Sequence, residues 1–314
     1  MSLTLVEGQK YTTDKLEKGI IQTIVKDSPI LSRLKFMNWE GNSYTYNREL
    51  TEPTAQFYAV GDTWTESTGT LTQVTAVLYT LGGDADVDNF LQQTKGDLND
   101  ILQMQVEAKT EAVKRKYHDG YYYGSNATDS KSPDGCHILI ADATYNTVHA
   151  GSGTGTALSI DKLRQAMDMI KGQSPDLIVS SKTMRRRMTT YMESVGSAFP
   201  TTRDEFGMMV TDFNGAPWAT DDNIVDTETA ASGAYVAQTG GANTSIFVFR
   251  FDSLGVMGLQ NGSLKTEIFP RLETKNASRV RIIWYVSLML KSLISCAKVD
   301  GIVTTAGAAS VVTA

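Results

Sequence analysis

One run near the C-terminal end constrains the fold more than any other feature. From Ser278 to Leu290 the chain reads SRVRIIWYVSLML. Val280, Ile282, Trp284, Val286, Leu288 and Leu290 are all apolar, while the alternate positions Arg279, Arg281, Ile283, Tyr285, Ser287 and Met289 are mixed. A period of two is the signature of a strand with one buried face. Thirteen residues at about 3.3 Å each reach about 43 Å, well beyond the usual five or six residues of a strand. A membrane helix is excluded because Arg281 and Lys291 bracket too few residues to cross a bilayer, which takes about twenty. A strand this long needs a long element to cover it. The stretch 97–124 supplies one: it is rich in helix formers and has no Pro and no internal Gly before Gly120. The spacing predicts a helix over 97–119, with Leu98, Ile101, Leu102, Ala108, Ala112 and Val113 forming a narrow apolar stripe along a sheet.

The chain has 314 residues, 41% of them hydrophobic, enough for two domains or for one domain with large excursions. Its formal charge of −6 argues against a protein built to grip nucleic acid tightly. The charge is unevenly spread. Residues 51–96 carry one base and six acids, and residues 251–314 carry seven bases and four acids. Two readings are open: an acidic solvated surface, or an acidic excursion that docks on a basic surface elsewhere, such as another copy. Two cysteines, Cys136 and Cys296, make no disulfide framework and suit a reducing compartment. The opening MSLTLVEGQK predicts neither a signal peptide nor an anchor.

Along the chain, 14–26 reads as an amphipathic helix with Asp14 and Glu17 at capping-box spacing. Strands are expected over 43–50 and 72–81. Between them lie about twenty residues with Phe57, Tyr58 and Trp64, a long loop for a compact domain. The reading is a two-stranded ribbon turning near VGDT (60–63), whose aromatics need another surface because an isolated ribbon is only marginally stable. GSNATDSKSPDG and HAGSGTGTALS are linkers. An α/β alternation follows: a helix capped at Ser159 and ended by Gly172, a buried strand at 176–180, a helix capped at Ser181, and a strand at 244–251. Asn261-Gly262 predicts a hairpin.

Chemistry-bearing motifs are weak. GSGTGT (151–156) lacks the Gly-Lys-Ser/Thr that completes a phosphate loop. DADVD (84–88) alternates acids as calcium loops do, but lacks the sixth-position Gly and has Lys95 at the twelfth, so it reads as a solvated acidic turn. His118, His137 and His149 form no metal spacing, and on a strand Cys136 and His137 would face opposite ways. The basic RRR of 185–187 reads as a solvated or subunit-contacting helix face. No enzyme, cofactor or metal is expected.

The ordered set of pieces resembles the major capsid protein of tailed double-stranded DNA bacteriophages, the Hong Kong 97-type capsid fold. SPDLIVSSKTMRRRM (174–188), FNGAPWATDDNI (213–224), FRFDSLGVMGLQNG (249–262) and ETKNASRVRIIWYVSLMLKSLISCAKVDGI (273–302) carry the resemblance. It implies an α+β fold with an N-terminal arm (1–48) and an extended β-ribbon loop (49–75). An elongated peripheral domain (76–150 and 251–291) would hold the spine helix at 97–119, and a compact axial domain would comprise 151–250 and 292–314. It implies a structural protein that assembles from pentamers and hexamers into an icosahedral shell in the host bacterial cytoplasm. That shell would enclose double-stranded DNA without sequence-specific binding, with portal, scaffolding or decoration proteins as partners and no membrane. An encapsulin-like nanocompartment shell around enzyme cargo is the alternative. The chain departs from the family pattern in two respects: no long scaffolding region precedes 14–26, and the loop has no Lys for the isopeptide bond that joins some family members. The expected subunit interface sets Glu52, Asp62 and Glu66, with Tyr58 and Trp64 as apolar anchor, against Lys265, Arg271, Arg279 or Arg281 of a neighbour.

Overall fold

The computed structural model describes residues 29–89, 98–151, 155–172, 174–196, 201–203, 209–229, 236–304 and 312–313; the helix expected over 14–26 lies outside them. In chain order the strands are β1 (Phe36–Asn38), β2 (Ser43–Thr51), β3 (Thr70–Val77), β4 (Tyr79–Asp88), β5 (Thr147–His149), β6 (Leu158–Ser159), β7 (Leu177–Ser180) and β8 (Thr201–Arg203). They continue with β9 (Met209–Phe213), β10 (Ala216–Thr220), β11 (Asn243–Phe249), β12 (Val256–Gln260), β13 (Lys265–Phe269), β14 (Ala277–Leu290), β15 (Cys296–Val303) and β16 (Val312–Thr313). The helices are α1 (Leu98–Tyr123), α2 (Cys136–Leu139), α3 (Ile160–Asp168) and α4 (Lys182–Ser194).

The expected long strand is β14, fourteen residues or about 46 Å. It is the centre of a five-stranded sheet. On one edge β4 pairs antiparallel from Asp88↔Ala277 to Tyr79↔Val286. On the other edge β12 and β13 run antiparallel one after the other, with β1 parallel outside β12. This overturns the hairpin expected at Asn261-Gly262. Gln260 faces Val286 and Lys265 faces Ile283, so the chain keeps its direction and merely bulges by two residues. Gly262 takes φ 72°, and the Asn261 N–H still donates to the Tyr285 carbonyl at 3.1 Å. A left-handed glycine serves a bulge as well as it serves a turn.

All six even-numbered apolar residues from Val280 to Leu290 are buried, and they share a core with Val106, Val113, Tyr117 and Tyr121 of α1. Trp284 lies 5.5 Å from Phe36 and 4.9 Å from Tyr117, ring centre to ring centre. The helix does not stop at Gly120: it runs to Tyr123, and Gly124 donates back to the Gly120 carbonyl at 3.0 Å. The extra turn buries Tyr121 and Tyr122 between the two sheets, and that burial outweighs the glycine.

The second sheet has seven strands in the order β5-β15-β11-β7-β10-β9-β8. Its central strands β7 and β11 are buried at every residue, so they read as unbroken runs rather than alternations. One face presents Leu177, Val179, Phe247 and Phe249 to the α1 tyrosines. The other presents Ile178, Ile246, Val248 and Val299 to Leu163 of α3 and to Met184 and Met188 of α4. The Ser181 hydroxyl caps α4, accepting the Met184 N–H at 3.3 Å. Ser159 occupies the cap position of α3, but its side chain does not bond to the first turn. Among the described residues no helix is long and apolar enough to cross a membrane.

Candidate assembly interface

β2 and β3 pair from Ser43↔Val77 to Thr51↔Thr70, so the ribbon begins before residue 49 and its return strand breaks at Leu78 ahead of β4. Beyond Thr51 the two chains stay together through side chains. The Thr54 N–H donates to the Ser67 hydroxyl at 2.9 Å, and the Thr65 N–H to the Tyr58 hydroxyl at 3.0 Å. Tyr58 and Trp64 stack with centroids 4.4 Å apart. The reversal falls at 59–62, as expected from VGDT: Asp62 N–H donates to the Ala59 carbonyl, the Ala59 N–H donates to the Asp62 carboxylate at 2.6 Å, and Gly61 takes φ 95°.

The base of this ribbon is fixed to the end of β14. The Tyr46 hydroxyl donates to the Leu290 carbonyl at 2.6 Å, and Arg48 donates to the carbonyls of Leu290 and Lys291 at 2.5 and 3.0 Å. Lys291 Nζ sits 5.8 Å from the centre of the Tyr44 ring. Among the described residues the tip makes no comparable contact. Phe57 and Val60 are fully exposed and Trp64 is 79% exposed, with Leu50 and Leu71 also bare. An arm held rigidly at its root, with a row of uncovered apolar side chains at its end, has the form of an interface element.

The structure divides the acidic stretch into two parts. Asp84 and Asp86 are not in a turn; they lie on β4, two residues apart on one face. Arg281 grips Asp84 through Nε and Nη2 at 2.7 and 2.8 Å, and Arg279 grips Asp86 at 2.6 and 2.9 Å. A strand of alternating acids facing alternating bases is a charge ladder, which explains DADVD without a metal. Arg279 and Arg281, expected to face a neighbour, are thus engaged within their own chain. Among the described residues Glu52, Asp62 and Glu66 form no ion pair, and neither do Lys265 and Arg271.

Hydrogen bonds from Arg281 and Arg279 hold the carboxyls of Asp84 and Asp86 below the ordinary value of 3.8. A lowered folded-state pKa means that the ladder's contribution is fully present above that value and disappears as the pH falls through the folded one. In thermal melts, Asp84→Asn with Asp86→Asn is expected to lower the midpoint at neutral pH, and the gap to the unaltered chain should narrow as the pH falls below 3.8 and through the lowered folded-state values. A gap unchanged at acid pH would contradict the ladder.

A buried polar network that sequence reasoning missed joins α1, α2 and the seven-stranded sheet. Lys298, fully buried, donates from Nζ to the His137 carbonyl at 3.0 Å and pairs with Asp300 at 3.2 Å. Asp300 is bonded at 2.5 Å to His149 at the sheet edge. Glu228, also fully buried, accepts from the hydroxyls of Tyr123 and Ser245 at 2.5 Å each. Cys136 and His137 sit on a short helix rather than a strand, both buried. Burial pushes the Cys136 thiol well up and the Cys296 thiol up to about 12, which disfavours a thiolate nucleophile. Among the described residues no group of three His, Cys, Asp or Glu could hold a metal ion. The alternation Ala297, Lys298, Val299, Asp300 was the available signal: a strand with both faces buried must bury its charges.

A long strand backed by a spine helix, a compact second sheet and a projecting ribbon define a Hong Kong 97-type shell subunit. Solved structures share this arrangement. The holo-SrpI encapsulin complex from Synechococcus elongatus PCC 7942 matches with TM-score 0.65 and 16% identity over 89% of each chain. The capsid of a native GTA particle matches with TM-score 0.61 and 12% identity, covering 86% of this chain and 89% of that one. The capsid of Myoviridae phage XM1 matches with TM-score 0.57 and 18% identity, covering 87% and 91%. At such identities the likeness shows the fold alone. No curated protein matches in sequence. The family model described as SU10 major capsid protein matches residues 4–302. The chain belongs to that family, and it is the shell-forming major capsid protein of a phage.

Proposed function

We propose that this subunit builds an icosahedral shell of pentamers and hexamers through its ribbon. In that shell the tip of one copy covers apolar surface on the next. The observation that carries this is the ribbon's form: rooted on the carbonyls of Leu290 and Lys291, with Phe57, Val60 and Trp64 uncovered at its end. Glu52, Asp62 and Glu66 steer the tip, Tyr58 and Trp64 anchor it, and Lys265 and Arg271 are the basic partners left unengaged among the described residues. Arg279 and Arg281, paired with Asp86 and Asp84 of their own chain, tie β14 to β4 rather than face the neighbour. A head-to-tail contact of this kind closes into rings. The five-stranded sheet with α1 forms the peripheral domain and the seven-stranded sheet the axial domain around the ring axis.

The shell encloses double-stranded DNA, and the chain's net charge of −6 favours a lining that does not bind the packaged genome strongly. A portal and scaffolding or decoration proteins complete the particle, and assembly takes place in the host bacterial cytoplasm. The protein catalyses nothing in this role. An encapsulin-like compartment, whose subunit has the same fold, is the second reading; the family match over 4–302 favours the phage shell. Electron microscopy of particles from infected cells separates them. DNA-filled heads with a tail vertex support the phage shell, and tailless shells around protein cargo would overturn it.

The ribbon from Ser43 to Val77 has no Lys, so no isopeptide bond is expected from it. Boiled, reduced shells should run as one band of monomer mass; a ladder of covalent multimers would contradict this.

A further inference from the structure

We propose that Asn261-Gly262 is a site of spontaneous covalent modification, where Asn261 turns into isoaspartate and aspartate through a cyclic imide. The step needs only the chain and water. The Gly262 backbone nitrogen attacks the Asn261 side-chain carbonyl carbon, the bond from that carbon to Nδ2 breaks, and ammonia leaves with the proton of the Gly262 N–H. Water then opens the imide at either carbonyl. One water enters, one ammonia departs, and no atom changes oxidation state.

The chain has two Asn-Gly pairs, and the structure separates them. Asn214-Gly215 is the two-residue loop between β9 and β10, closed directly by the pair Phe213↔Ala216. Asn214 is held there at φ 49° and Gly215 at φ 82°, the left-handed geometry of a tight hairpin turn. A turn closed so tightly fixes the backbone that the attack would have to rotate. Asn261-Gly262 opens the bulge instead. Residues 261–264 stand against only Trp284 and Tyr285, between the pairs Gln260↔Val286 and Lys265↔Ile283, so this passage holds more chain than pairing can fix. Asn261 is exposed, and among the described residues no hydrogen bond holds its side-chain amide or the Gly262 N–H. A Cβ built on Gly262 would come no nearer to another residue than 3.9 Å, so nothing crowds the attacking nitrogen.

The products differ from asparagine in charge and, for isoaspartate, in backbone length. Isoaspartate routes the main chain through the side-chain methylene. That lengthening falls in a bulge that already carries extra chain, so the pairings of β12 and β13 with β14 on either side of it survive. The new carboxylate arises beside Lys265, whose Cε is the atom nearest to the open side of Gly262. The modification therefore accumulates in the folded subunit and adds negative charge next to one of its exposed bases.

The test is ageing of the full chain in warm, mildly alkaline buffer, followed by peptide mapping. The peptide carrying Asn261 should grow heavier by about one mass unit and split into isoaspartyl and aspartyl forms. The peptide carrying Asn214 should lag by about tenfold, a barrier difference of about 1.4 kcal/mol. Ageing in urea removes the fold and should bring the two rates together. Asn261→Gln, which would have to close a larger ring, should abolish the change at this site and leave the Asn214 peptide as it was. No mass gain at Asn261 in the native chain overturns the proposal, and so does an Asn214 peptide that changes as fast or faster. A preference for Asn261 that survives urea lies in the local sequence and overturns the structural argument.

Discussion

Replacing Tyr58 and Trp64 together by alanine abolishes shell formation and leaves the subunit folded. The two rings form one stacked slab 4.4 Å apart, and Trp64 is 79% exposed in the isolated chain. Covering about 300 Å² of this slab in a contact contributes about 7 kcal/mol before association costs are met. Those costs are of the same order, so a contact that loses the slab falls near zero net affinity. Each ring and each contact between rings repeats the loss. Neither residue reaches the core, so the melting temperature should move by no more than an ordinary surface substitution of about 0.5 kcal/mol permits. Negative-stain microscopy and thermal melts check the two halves of the result. Normal shells from the double variant would remove the ribbon from the assembly account.

The second large effect is internal. Lys298→Ala is expected to destabilise the subunit by about 3–5 kcal/mol, because it leaves Asp300 buried without its ammonium partner. Burial pushes the Lys298 pKa below 10.5 and Asp300 pushes it back up, so the charge is held at a cost. A pair held at a cost is better removed whole than halved. Lys298→Met combined with Asp300→Leu should therefore cost less than Lys298→Ala alone, despite touching two residues. Chemical denaturation of the three proteins measures the order. If the single substitution proves the milder, the pair is not the unit that the geometry describes.

What could be read along the chain was what local spacing encodes. The buried face of β14, the reversal at 59–62 and the serine cap of α4 each follow from a few neighbouring residues. What escaped depends on partners far away. Asp84 and Asp86 look like turn residues until Arg281 and Arg279, nearly two hundred positions on, are placed opposite them. Asn261-Gly262 has the local chemistry of a turn, but whether a left-handed glycine reverses a chain or bulges it depends on the strand alongside. Gly120 looks like a helix end because nothing nearby shows how much tyrosine surface the next turn buries. The interface residues divide in the same way. The ribbon's aromatics stand out in sequence because nothing local covers them, whereas the engagement of Arg279 and Arg281 needed the sheet register.

Cryo-electron microscopy of the purified chain is the most direct test of the central claim, that copies tile because the ribbon tip finds its cover on a neighbour. The account predicts closed shells in which density from one subunit's residues 57–64 lies against the next subunit. Single compact subunits at every concentration, with Trp64 shielded by its own chain, would contradict it.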